Sequence, residues 1–170
     1  IFGRYTADAT PDTVQIWDGS VSTALSGSGT EADPYKIGSV EDLIFFRDSV
    51  NAGETKYNAP GVYVALAADL DLAGIDWSVN IGDDCNATFD GIFDGKNHTI
   101  KNLKLAPSAD ADGYFCGGLF GYTYGAATIK NLVLENITVT ADGEGHNVAA
   151  LVGFANNRTG KLTVSKVTVK

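Results

Sequence analysis

The feature that most limits the possible folds is self-similarity in the C-terminal half of the chain. Ile100-Lys101-Asn102-Leu103-Lys104-Leu105 matches Ile129-Lys130-Asn131-Leu132-Val133-Leu134 at an offset of 29 residues. The second copy matches Val164-Ser165-Lys166-Val167-Thr168-Val169, less closely, at an offset of 35. Upstream of each copy runs another motif: Gly91-Ile92-Phe93-Asp94-Gly95, Gly118-Leu119-Phe120-Gly121-Tyr122 and Ala150-Leu151-Val152-Gly153-Phe154, at offsets of 27 and 32. A recurring unit of about 30 residues is the signature of a stacked architecture. Short strands with Gly- and Asn-rich corners cannot bury their apolar side alone. They bury it against the next unit, and the strands of successive units then pair in parallel. The expectation is an all-β chain folded as a β-solenoid.

In such a stack Ile100, Leu103 and Leu105, with Ile129, Leu132 and Leu134, point inward in files. Asn102 and Asn131 are expected at the same corner of successive coils. Two readings stand there: turn asparagines that tolerate left-handed backbone, or rungs of a stacked amide ladder that Lys166 ends. Glycine, at 20 of 170 residues, is about 12% against a usual value of about 7%. The excess is expected at coil corners such as Gly91, Gly95, Gly118, Gly121 and Gly153, where the chain bends with positive φ or where coils approach closely.

The N-terminal part reads differently. Ile1–Leu25 is rich in Thr, Asp and Ser, with one short extended candidate at Thr13–Trp17, and a loop follows through Pro34. Ser39 is an N-cap with Asp42 three residues on, and Val40, Leu43, Phe46 and Val50 recur at helical spacing before Asn51-Ala52-Gly53. After Gly61 the period becomes two, through Val62, Val64 and Leu66 and then Ala68, Leu70 and Leu72. The expected organisation is one domain: an extended or loop segment over 1–38, a capping helix over 39–52, and coils over 53–170. Each end of a stack exposes strand edges and apolar interior, so a cap is required. The helix suits the N-terminal end. The last residues, Val167-Thr168-Val169-Lys170, still read as strand, so a continuing polypeptide or a partner is expected to cover that end. Because the chain begins at Ile1 and contains no Met, a processed form is expected.

Charge narrows the partners. Twelve Lys and Arg against twenty-one Asp and Glu give a net charge of −9. That leaves no basic face for nucleic acid or for an anionic membrane surface. No apolar run approaches the roughly 20 residues that span a bilayer. Cys85 and Cys116 are either two small buried thiols or a disulfide. A structural zinc wants about four ligands, and the chain offers two Cys and two His, so no cofactor is expected.

The ordered series Gly29-Thr30-Glu31-Ala32-Asp33-Pro34-Tyr35-Lys36-Ile37, Ser39-Val40-Glu41-Asp42-Leu43, Ala68-Asp69-Leu70-Asp71-Leu72 and Phe89 to Leu103 resembles right-handed parallel β-helix segments of bacterial cell-surface proteins. Gly118-Leu119-Phe120-Gly121 and Ala150-Leu151-Val152-Gly153 resemble the GLUG-type repeat of adhesin-like proteins. The resemblance runs from roughly Trp17 to the end and implies a right-handed parallel β-helix in an extracellular, cell-surface protein.

Reactive constellations are few. His98 and His146 lie in unrelated loops with no His-Glu-x-x-His helix, and no Gly-x-Ser-x-Gly frame is present. Asp90 with Asp94, or Asp69 with Asp71, are the acid pairs a polysaccharide-cleaving β-helix would need, although Asp-Gly at a corner is also a turn signature. Asp83 and Asp84 are candidates for calcium, and Tyr122 and Tyr124, in a Gly121–Gly125 turn, for stacking on sugars. Asn86, Asn97, Asn136 and Asn157 each begin an Asn-x-Thr sequon. The expected function is a non-enzymatic extracellular module for adhesion, display or spacing. Its partners would be a host or glycan ligand, or the neighbouring domains or subunits that cover the C-terminal coil. The alternatives are a polysaccharide-active enzyme or carbohydrate-binding module, and a structural subunit of a virion or surface filament.

Overall fold

The computed structural model describes residues 17–106, 115–140 and 146–170. Of the expected strand at Thr13–Trp17, only Trp17 lies among them. Tyr35–Ile37 forms β1, and the helix α1 follows over Val40–Asn51. Ser39 has extended backbone, and its hydroxyl accepts the Asp42 N–H at 3.3 Å, satisfying one of the four donors that a helix start leaves open. Leu43, Phe46 and Val50 are fully buried on one face.

The alternation after Gly61 becomes β2 (Tyr63–Leu66), β3 (Leu70–Asp71) and β4 (Asp76–Trp77). The circuit then repeats as β5 (Ile92–Asp94), β6 (Thr99–Lys101), β7 (Lys104–Leu105), β8 (Phe115–Gly117) and β9 (Phe120–Tyr124). It repeats again as β10 (Thr128–Glu135), β11 (Thr138–Val139), β12 (His146–Val148) and β13 (Val152–Asn156), before β14 (Thr163–Val169) opens another turn. Every pairing between these strands is parallel. One file runs β1-β2-β5-β10-β14, and β3 and β6 stack on the second half of β10. Three further files are β4-β7-β11, β8-β12 and β9-β13. The chain is a parallel β-solenoid with one short helix among the described residues.

The stack begins earlier than the expected boundary at residue 53. Tyr35 pairs with Val64 and Ile37 with Leu66, so β1 is its first rung and the helix is an excursion between rungs. Three residues amid loop composition are too few for a period of two to register.

Inside, the files read Tyr35-Val64-Phe93-Ile129-Val164, Leu70-Ile100-Leu134-Val169, Trp77-Leu105-Val139 and Tyr122-Phe154. Each fully buried aliphatic or aromatic side chain contributes about 1.5–3 kcal/mol. Phe46 of α1 meets Phe89 and Phe93 at 6.0 and 6.1 Å between ring centroids, and those rings meet Phe120 at 4.9 and 5.3 Å. The helix is thereby joined to an aromatic core through two coils. Every file is buried until its last rung. There Val164, Val169, Val139 and Phe154 are 46%, 54%, 42% and 43% exposed.

The register corrects the offsets read from similarity. Ile100 pairs with Leu134, not Ile129, and Ile92 pairs with Thr128 rather than lying against the Gly118 motif. The Gly118 and Ala150 motifs do lie coil on coil, Phe120 against Val152 and Tyr122 against Phe154. The glycines at 91, 95, 118, 121 and 153 do not mark positive-φ corners. Positive φ falls instead on other glycines, Gly61, Gly74, Gly82 and Gly125 among them, and on Lys96, Asn97, Asn102, Asn131, Asn136 and Lys166, with φ between 50° and 66° in these last six. Close approach is what the glycines serve: a Cβ on Gly118 would lie 2.6 Å from the Phe120 carbonyl oxygen, and one on Gly121 2.6 Å from that of Gly82.

Candidate functional site

The polar chemistry of the molecule is concentrated at the coil corners. Where β3 ends, the Asp71 carboxylate accepts the Ala73 N–H at 3.0 Å, the Nδ2–H of Asn102 one coil on at 2.7 Å, and faces Lys101 Nζ at 3.3 Å. Where β5 ends, Asp94 repeats the arrangement. It accepts the Lys96 N–H at 2.9 Å and Asn131 Nδ2–H at 2.9 Å, and faces Lys96 Nζ at 3.3 Å and Lys130 Nζ at 3.6 Å. A Lys-Asn dipeptide thus docks twice on an Asp of the preceding coil. In each case Asn supplies a left-handed backbone that other side chains resist together with an amide donor.

This explains the similarity between the Asn102 and Asn131 segments, and why they do not stack. They occupy two consecutive corners with the same chemistry, so matching by sequence slid one corner along. Asn102 stacks instead with Asn136, whose Nδ2 donates to Asn102 Oδ1 at 3.4 Å. Asn131 is followed in the next coil by Lys166, also left-handed.

These acids are committed. Burial raises the carboxyl pKa of Asp94, but the Asn131 amide, the Lys96 N–H and the Lys96 ammonium outweigh it, and the group lies below its ordinary value. Asp71 is likewise lowered: desolvation opposes, while Asn102, Ala73 and Lys101 prevail. Asp69 is lowered by the Thr99 N–H and then by His98, whose Nδ1 lies 3.0 Å away. Asp90, half-buried and bonded to Thr88 Oγ1 at 2.9 Å, is raised, chiefly by desolvation. In the Asp90 and Asp94 pair, therefore, one carboxylate is fixed by cross-coil donors.

The remaining candidates are dispersed. Asp83 is exposed, and Asp84 Oδ1 takes the Asn86 N–H at 2.6 Å and its side-chain amide at 3.1 Å, closing a turn. Among the described residues no three His, Cys, Asp or Glu side chains converge on a metal position. Tyr122 and Tyr124 lie on β9 rather than in a turn. Tyr122 is 8% exposed, with its ring 5.8 Å from Phe154, so Phe154 is the open aromatic on that flank. The disulfide reading is not met: Cys85 is exposed, Cys116 is buried, and they are separate thiols. His146 lies on β12. Among the described residues no helix is long and apolar enough to cross a membrane.

Three asparagines escaped the sequence reading. Asn51 donates to the Asn80 carbonyl and accepts the Gly82 N–H. Asn58 does the same with Thr88 and Asp90, and Asn80 with Cys116 and Gly118. Each takes a carbonyl at one residue and an N–H two residues later, which is the pattern a parallel strand presents. The side-chain amides continue the ladder where no strand runs. Asn58 and Asn80 stand between strands and Asn51 at the end of the helix, with no periodicity that would reveal this.

No protein-family model matches the chain. It is 35% identical over 159 residues to Halomucin of Haloquadratum walsbyi (strain DSM 16790 / HBSQ001), a match covering 87% of this chain and 2% of that protein. Among solved structures it is similar to a chain from Bacteroides ovatus named as a candidate immunoglobulin A1 protease. The TM-score is 0.55 and the identity 25%, over 85% of this chain and 40% of the other. The chain therefore spans a small fraction of the curated relative and less than half of the structural one.

Proposed function

We propose that this chain is a non-enzymatic, extracellular β-helix module of a surface protein, used for adhesion, display or spacing. The observation that carries this reading is the stack itself: the corner acids that carbohydrate cleavage would need are spent on cross-coil bonds at Asp71 and Asp94. The similarity to Halomucin, whose name places it with mucins, supports an extracellular location. The coil-on-coil match of the Gly118 and Ala150 motifs supports GLUG-type repeats and an adhesin-like relationship. A neighbouring domain or subunit covers the C-terminal coil, consistent with four files that each end in an exposed apolar side chain.

A panel of glycans incubated with the purified protein tests the reading. No reducing ends or unsaturated sugars should appear, and Asp94→Asn should lower stability alone. Release of sugars that Asp94→Asn abolishes would establish the polysaccharide-active alternative.

A further inference from the structure

The asparagines of this chain fall into two groups that differ in structure as well as in sequence. Asn86, Asn97, Asn136 and Asn157 are each followed two residues later by Thr, and all four are exposed and lie between strands. Of the seven that lack this Thr, Asn51, Asn58, Asn80, Asn102, Asn131 and Asn156 are buried or half-buried. The first five of these hold coils together through their amides. Only Asn147 is exposed without the Thr. Of the four in the sequon only Asn136 bonds another coil through its amide, to Asn102, and all four are exposed residues. Asn86 and Asn136 each use one Nδ2 hydrogen, toward Asp84 at 3.1 Å and Asn102 at 3.4 Å. An amide nitrogen carries two, so one stays available.

We propose that Asn86, Asn97, Asn136 and Asn157 are N-glycosylation sites, accepting an oligosaccharide from a polyprenyl phosphate or pyrophosphate donor. In the transfer Nδ2 bonds to the anomeric carbon of the first sugar. The bond from that carbon to the phosphate oxygen breaks with its electron pair on the phosphate, and Nδ2 releases one proton to the transferring enzyme. No oxidation state changes. Asn86 lies in the coil opened by β2, Asn97 in that opened by β5, and Asn136 and Asn157 in that opened by β10, so each circuit carries sugar on its flank, and of the asparagine bonds between coils only that from Asn136 to Asn102 involves a modified amide. The proposal goes beyond the module's function and shares with it only the extracellular location.

The test is intact-glycopeptide mass spectrometry on the protein recovered from the surface fraction of its own cells. Glycan is expected on the four sequon asparagines and on none of the other seven, with exposed Asn147 as the control for exposure alone. Thr88→Val, Thr99→Val, Thr138→Val and Thr159→Val should each abolish glycan at the matching site, and the Thr→Ser changes should restore it, with circular dichroism showing that the solenoid persists. An unmodified sequon peptide from surface protein removes that site, and four such peptides, or glycan on Asn147, overturn the proposal. Recovery from the cytosol alone overturns it together with the extracellular location, whereas surface protein without glycan leaves that location standing.

Discussion

At Asp94 a carboxylate only 4% exposed is met by donors from its own turn and from the next coil. A hydrogen bond to a charged group is worth about 1.5–3 kcal/mol, so Asp94→Asn should destabilise the fold by about 2 kcal/mol in urea melts at pH 7. The acid limb has a definite sign. A carboxyl lowered in the folded state adds stability that is complete above its unfolded value and lost as pH falls through the folded value. Stability should therefore drop below the ordinary value of 3.8, and the drop should be shallower in Asp94→Asn. Asp90, raised by burial, acts oppositely: its contribution is present below the unfolded value and lost as pH rises through the folded one. At Asn131, with φ of 51°, Gly keeps the backbone and loses the amide, while Ala loses both. Asn131→Ala should melt below Asn131→Gly by about 1 kcal/mol of stability.

Among the elements, α1 was the most legible. A hydroxyl cap followed by a 3.6-residue period is local information, and the helix starts at Val40, one residue after its Ser39 cap. Ser39→Ala should cost about 1 kcal/mol. Phe46→Ala should cost about 3–5 kcal/mol, because its ring meets Phe89 and Phe93 in the core, and thermal unfolding of the two variants should show that difference in Tm. β1 was not legible, because its three residues are strand only by virtue of pairing with β2. β10 shows the converse: its length of eight residues spans a corner at Asn131 that pairs with β5 before the bend and β6 after it.

Across the whole molecule, the core files stay buried until their last rung, where Val164, Val169, Val139 and Phe154 are exposed. β10 is flanked by β5 and β6 on one side and β14 on the other, while β14 has a partner on one side only among the described residues. Hydrogen exchange of the isolated chain should accordingly find β10 amides protected and the β14 amides that face away from β10 fast. Protection of both sets would mean that the open coil is covered by another copy. The sequence by itself determined the repeating unit, the parallel stack, the capped helix and which side chains face inward, since all of these follow from periodicity and local backbone preference. Only the tertiary structure decided which rung lies on which, that Asn102 meets Asn136 while Asn131 meets Lys166, and that Asn51, Asn58 and Asn80 stand in for missing strands. Register is set by hydrogen bonds and packing between residues some 30 positions apart, and two corners of like chemistry look alike in sequence wherever on the circuit they fall.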